Sequence, residues 1–191
     1  MLSGIKIGYC LCGSFCTINA ALGQIDVLTS LGAEVVPIIS ESVQTIQCRF
    51  CTPAGIIDRL QLMCKSPPIT DIVTAEPIGP KNDIDIMVVS PCTSNMLGKL
   101  ANGINDCVAT MACKAHLRNN KPLVLAPATN DALGASLKNI GELIVRKNIY
   151  MVPFRQDDHI NKPLSMVADF NKLTDTVILA LEGKQLQPII I

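Results

Sequence analysis

The stretch Ile84-Asp85-Ile86-Met87-Val88-Val89, followed directly by Ser90-Pro91-Cys92-Thr93-Ser94-Asn95, constrains the fold more than any other part of the chain. Its first half is apolar and rich in β-branched residues, the pattern of a strand covered on both faces, as in a parallel sheet. Pro91 cannot donate a ladder hydrogen bond, so the strand is expected to stop there. The thiol, hydroxyl and carboxamide groups that follow would then lie at the carboxyl end of a central strand, where a parallel sheet opens its ligand crevice. An ordinary strand-to-helix connection, with Thr93 or Ser94 as N-cap, accounts for the same residues without a ligand.

The alternation of strand and helix extends through the chain. Residues 5–12 read as a first strand ending at Gly13-Ser14. Gly13 permits a tight turn there, and Ser14 with the amides after it suits a phosphate at the start of a helix over 17–31. Neither the Gly-x-Gly-x-x-Gly dinucleotide fingerprint nor a Walker loop is present. Gly32 closes the helix, and residues 33–39 form a second strand that Pro37 places near an edge or at a bulge. Ser40, Ser42 and Thr45 crowd the end of that strand. Arg49 follows, a fixed cation near a hydroxyl-rich rim and the candidate carboxylate clamp. A helix over 53–65, an extended piece over 71–74 and a turn-rich loop over 76–81 lead to the central strand.

Beyond it, Asn105 or Asp106 is expected to cap a helix reaching about residue 117. Residues 121–126 form another buried strand that ends at Pro127. Pro127-Ala128-Thr129-Asn130-Asp131 then repeats the order strand, proline, small polar residues. A helix over 136–147, a strand over 149–152 and a final helix from about 166 to 181 complete an α/β pattern. The loops around 13–17, 40–45, 91–96 and 127–131 are therefore expected to converge on one rim.

Charge and composition narrow the function classes. Sixteen basic and sixteen acidic residues cancel, leaving no field to draw nucleic acid or an anionic membrane surface. No apolar run reaches the roughly 18 residues that a membrane span needs. At 191 residues and 49% apolar, the chain is sized for one domain over 1–191. A mean hydropathy of +0.37 and the tail ending Ile189-Ile190-Ile191 imply burial against a neighbouring subunit or the parent domain, and hence a homo-oligomer. Nine cysteines in a weakly charged chain, whose opening residues lack a basic segment and cleavage region, point to a reducing cytoplasm rather than a disulfide scaffold. Cys48-Arg49-Phe50-Cys51 has no second such unit to complete four zinc ligands, and most of the thiols read as small buried hydrophobes. His116 and His159 read as structural or surface residues, and no metal site is expected.

Gly13-Ser14, Ser40, Pro91-Cys92-Thr93-Ser94-Asn95, Lys99-Leu100-Ala101-Asn102-Gly103-Ile104-Asn105-Asp106 and Pro127-Ala128-Thr129-Asn130 together resemble the homo-oligomeric flavin-containing decarboxylase superfamily. Over essentially the whole chain the resemblance is closer to the family of dipicolinate synthase B subunits of endospore-forming bacteria. It is carried by Glu76-Pro77-Ile78-Gly79-Pro80-Lys81, Thr129-Asn130-Asp131-Ala132-Leu133-Gly134, Lys147-Asn148-Ile149-Tyr150-Met151-Val152-Pro153-Phe154 and Ala180-Leu181-Glu182-Gly183-Lys184-Gln185-Leu186-Gln187-Pro188. The resemblance implies a three-layer, flavodoxin-like or Rossmann-like fold with helices on both faces of a parallel sheet, trimers or larger assemblies, and flavin mononucleotide (FMN) as cofactor. It implies cofactor-binding roles for Gly13, Ser14, Ser40, Thr93, Ser94 and Asn130, and a place beside flavin and substrate for Asn95. Two departures stand out. The decarboxylating relatives carry a catalytic histidine soon after the second strand, and this chain has no histidine between Ser40 and Ser90. Their central loop begins Pro-Ala-Ser-Ala-Asn-Thr, where this chain has Cys92, Thr93, Ser94 and Met96.

Three functional readings follow. In the first, the chain acts in the mother cell of a sporulating bacterium with an NAD(P)-binding partner resembling the A subunit of dipicolinate synthase, converting a dihydrodipicolinate-type dicarboxylate to dipicolinate. The missing dinucleotide fingerprint agrees with a need for that partner, and Asn95 and Arg49 are then the candidate catalytic residues. The second reading is an independent FMN-dependent flavoprotein acting on a small carboxylate, and the third a non-catalytic subunit that organises its partner's site.

Overall fold

The computed structural model describes residues 2–191; Met1, the first residue of the opening segment considered above, lies outside them. The strands are β1 (Lys6–Leu11), β2 (Glu34–Ile39), β3 (Ile86–Cys92), β4 (Leu123–Thr129), β5 (Ile149–Met151), β6 (Phe154–Arg155) and β7 (Met166–Ala168). The helices are α1 (Ile18–Ser30), α2 (Glu41–Thr45), α3 (Pro53–Met63), α4 (Ile72–Ala75), α5 (Ile78–Lys81), α6 (Ser94–Ala101), α7 (Val108–Leu117), α8 (Leu137–Ile144) and α9 (Leu173–Leu181).

β1 to β5 are parallel, in the spatial order β2-β1-β3-β4-β5. Every residue of β3 is buried, as its unbroken apolar run requires, because α1 and α9 pack against one face of the sheet and α6, α7 and α8 against the other. α1 covers its face with Ile18, Ala21, Leu22, Ile25 and Leu28, a spacing that puts all five on one helical stripe. Each large aliphatic side chain so buried contributes about 1.5–3 kcal/mol. The chain leaves β1 outward to β2 and returns on the other side as β3, so the sheet's topological switch point lies between β1 and β3, where α/β proteins open a crevice.

The far edge departs from simple alternation. β5 pairs with the first half of β4, through Leu123 to Leu125, whereas its last residues, Ala128 and Thr129, pair antiparallel with β7, and β6 pairs with β7 in turn. The expected helix from 166 is therefore a strand first, and α9 begins only at Leu173. β4 runs through Pro127 instead of ending there, because its continuation has a new partner. Pro91 likewise lies inside β3, at a shift of register between Val89 and Cys92 that removes the need for its missing N–H. The edge position inferred from Pro37 holds: β2 ends the sheet, and the Pro37 carbonyl accepts from Ile69 N–H on the open side, so its nitrogen faces away from β1.

Two caps overturn local readings. Asp71 accepts from Thr74 N–H at 2.9 Å and starts α4 where an extended piece was expected, and α5 occupies part of the expected loop over 76–81. α7 is capped by Cys107 with Thr110, not by Asn105 or Asp106. The tail folds onto its own chain. Phe154 N–H donates to Ile189 C=O at 2.9 Å, Ile191 N–H donates to Phe154 C=O at 3.2 Å, and the Gln185 carboxamide bonds both backbone groups of Met151. No helix among the described residues is long and apolar enough to cross a membrane.

Candidate functional site

The loops after β1, β2, β3 and β4 meet at the carboxyl ends of the strands around two adjoining cavities, a greater one of about 420 Å³ and a lesser one of about 260 Å³. Gly13 and Thr93 border both. The greater cavity is also lined by Ser14, Cys16, Ser94, Thr129 and Asn130, and from the β6–β7 loop by Asp157, Lys162 and Ser165. Ser40, Glu41, Ser42, Asn95, Lys99 and Cys107 line the lesser one.

Gly13 is fixed by space rather than by a left-handed backbone. A Cβ built there would stand 2.6 Å from Ser42 Oγ, too close for any side chain unless Ser42 moves. Ser42 Oγ in turn lies 3.0 Å from Ser40 Oγ, so bare backbone meets a pair of hydroxyls. Ser14 accepts from the Thr17 hydroxyl at 3.0 Å through its own Oγ. Thr93 is the N-cap of α6, accepting from Met96 N–H at 3.3 Å. This leaves its hydroxyl proton free in direction and sets the first amides of α6 toward the cleft. Asn95, on the first turn, is exposed beside the lesser cavity, and Lys99 stands one turn further on the same face. Asn130 is held by a closed turn in which Asp131 Oδ1 accepts from Thr129 at 2.5 Å and from Ser136 at 3.0 Å.

Each cavity carries one lysine already paired with an aspartate. Lys162 Nζ lies 3.0 Å from Asp157, and Lys99 Nζ 2.6 Å from Asp106. The hydrogen bond to the aspartate is in each case the largest cause holding the ammonium above its ordinary range. Both lysines stay charged at neutral pH and can turn toward an incoming anion, because ion pairs open to solvent are only weakly held. Burial pushes the Cys12 and Cys92 thiols well up, so neither is a thiolate nucleophile at neutral pH.

Gly13, Ser14, Thr93, Ser94 and Asn130 thus share one cavity, and Ser40 and Asn95 share its neighbour. Arg49 is not brought in: the α2–α3 connection carries it to the surface, its guanidinium 4.7 Å from the Phe50 ring centroid, and it lines neither cavity. Sequence reading missed Lys99, although Asn95 and Lys99 are four apart on an expected helix, a legible signal. Lys162 and Asp157 carried no such signal, since only the β6–β7 pairing folds their loop over the cleft.

A third cavity, of about 440 Å³, lies at the opposite end of the sheet, bordered by Lys6, Ile69, Pro77 and Asp83. Of its two lysines, Lys6 is bonded to Asp83 at 2.7 Å and reaches Glu34 at 3.5 Å, and Lys81 is exposed. Also at that end, His116 is buried with Nε2 3.0 Å from Pro122 C=O, a structural role as expected.

The flavoprotein family model matches residues 1–179 of the chain. The dipicolinate synthase B subunit of Bacillus subtilis (strain 168) is 44% identical over 190 residues, which cover all of this chain and 95% of that protein. The crystal structure of the dipicolinate synthase B subunit from Bacillus halodurans C superposes with a TM-score of 0.92 at 41% identity, covering 100% and 98% of the two chains. An FMN-dependent cysteine decarboxylase of thioviridamide biosynthesis superposes with a TM-score of 0.59 at 28% identity over 74% of this chain and 85% of its own.

Proposed function

The chain belongs to the flavoprotein family, and on that premise we propose that it is the B-type component of a dipicolinate synthase. In this reading it holds FMN in the carboxyl-end cleft and works with an NAD(P)-binding A-type partner to convert dihydrodipicolinate to dipicolinate. The observation that carries the reading is a hydroxyl- and amide-lined crevice at the switch point of a chain 44% identical over its length to a dipicolinate synthase B subunit.

The donor set fits the proposed cofactor. A phosphate needs several donors close together; the missing Cβ of Gly13 lets Ser42 stand against the β1 loop, and Ser14, Ser40 and Ser42 supply hydroxyls around it. Bound flavin would supply hydride-accepting capacity that no side chain here has. Thr93, Ser94 and Asn130 would orient its ring portion, in keeping with the FMN dependence of the cysteine decarboxylase relative. Asn95, with Lys99 in the part first given to Arg49, would receive a carboxylate of the substrate. A dianion entering the cleft loses hydration that must be replaced by donors, and these residues with the α6 amides replace it. Loss of ring hydrogens gains aromaticity, so positioning by these groups accounts for much of what the chain contributes.

One domain over 1–191 and a homo-oligomer, trimeric or larger, belong to the same proposal. The first is supported by one apolar cluster running from Leu2 to Ala180, the second by the exposed apolar side chains of Leu133, Leu137, Ile160 and Leu164. The cytoplasm of a sporulating mother cell is the place this function would occupy. The test is reconstitution of dihydrodipicolinate oxidation with the partner alone, this chain alone and both together. The reading expects activity only from the pair, and full activity from the partner alone would end it.

A further inference from the structure

Cys48 and Cys51 lie in the connection between α2 and α3, away from the residues that line the cleft, with their sulfurs 3.5 Å apart. Both are partly exposed, whereas Cys10, Cys12, Cys64, Cys92 and Cys113 are buried. The backbone is already turned to bring the pair together, since Cys48 N–H donates to Cys51 C=O at 3.1 Å. The environment separates the two thiols. Desolvation works against ionising Cys48, but the Phe50 N–H aimed at its sulfur from 3.4 Å, the Cys51 side chain and backbone and the Arg49 charge outweigh it and hold this thiol below the ordinary range. Burial first, and then the Cys48 sulfur, push Cys51 up to about 11.

We propose that Cys48 and Cys51 are a dithiol–disulfide site, modified by low-molecular-weight disulfides of the glutathione type. The Cys48 thiolate attacks one sulfur of the small disulfide, forming a mixed disulfide and releasing the first small thiolate. Cys51 then gives up its proton and attacks the Cys48 sulfur, forming the internal bond and releasing the second small thiolate. The two cysteines lose two electrons, the small disulfide gains them, and the two thiol protons end on the two small thiols released. Closing the bond draws the sulfurs to about 2.05 Å, a movement within reach of side-chain rotation on this turned backbone. Arg49, which does not reach the cleft, adds the smallest of the influences that favour the attacking thiolate.

The test treats the full chain with oxidised glutathione, alkylates the remaining thiols with iodoacetamide and maps the peptides by mass spectrometry. The expected product is an internal Cys48–Cys51 disulfide. Cys51→Ser is expected to retain glutathione on Cys48, and Cys48→Ser to take up none at Cys51. In the reduced wild type, Cys48 is expected to be alkylated at neutral pH roughly tenfold faster than Cys16, an exposed thiol for comparison. The rate comparison needs no variant to fold. Wild-type Cys48 and Cys51 that both stay alkylatable after the glutathione treatment, or a Cys48 no faster than Cys16, would overturn the proposal.

Discussion

The two ends of the sheet hold cavities of nearly equal size, about 420 Å³ at the carboxyl end and about 440 Å³ at the amino end, and their chemistry is unlike. At the carboxyl end, loops present hydroxyls, a glycine without room for a side chain and the first amides of α6. At the amino end, Lys6 is committed to Asp83 and Glu34 and Lys121 to the carbonyls of Asn82 and Ile84 at 2.9 and 2.6 Å, leaving Lys81 as the one lining cation exposed to solvent among the described residues. Volume does not distinguish a site from a gap between elements. Donors left available to a ligand do, so the carboxyl end is expected to govern binding and the amino end stability.

The largest test of that division is His116, an amino-end residue. Burial holds its imidazole at about 4, against an ordinary 6.5. Between those values the unfolded chain binds the proton and the folded one does not, so stability rises with pH. The contribution is complete above pH 6.5 and is lost as pH falls toward 4, a loss of about 3 kcal/mol. Urea unfolding of the wild type should show that loss between pH 7 and 4, and His116→Gln should flatten it. A pH-independent wild-type midpoint would remove His116 from the account.

Next in size is Gly13→Val, whose side chain must displace Ser42. It should weaken FMN binding at least about tenfold, or ~1.4 kcal/mol, with thermal unfolding moved much less. Thr93→Ala lies on the boundary between the two roles. Losing the α6 cap should cost about 1 kcal/mol in thermal unfolding, while Thr93→Ser should restore most of it. A Thr93→Ala chain as stable as the wild type would mean that the hydroxyl serves the cleft alone. Smallest is Lys6→Met: partly exposed ion pairs of this kind contribute no more than about 1 kcal/mol, and FMN affinity should stay unchanged. A clear loss of affinity in this variant would erase the contrast between the two ends.

Much of this arrangement is legible in the sequence, because burial on both faces leaves a continuous apolar signature in β1, β3 and the first half of β4. The small polar loops after them could be placed on one rim by topology alone. What could not be read was pairing without periodicity. β6 and β7 are two and three residues long, too short to show alternation, yet they carry Lys162 over the cleft and continue β4 past Pro127. Asp71 was misread because a cap and an extended residue share the same backbone region, and the choice is made by the Thr74 N–H it accepts. Arg49 shows the converse error: closeness in sequence to Ser42 says nothing about where an intervening turn will point.

The most direct measurement of the central claim is a titration of the purified chain with FMN, followed by the change in its visible spectrum and flavin fluorescence, for the wild type, Gly13→Val and Lys6→Met side by side. The account expects saturable binding by the wild type and Lys6→Met with equal affinity, and binding at least about tenfold weaker by Gly13→Val. A wild-type chain that binds no FMN, or a Gly13→Val chain that binds it as well as the wild type, would contradict the assignment of the carboxyl-end cleft.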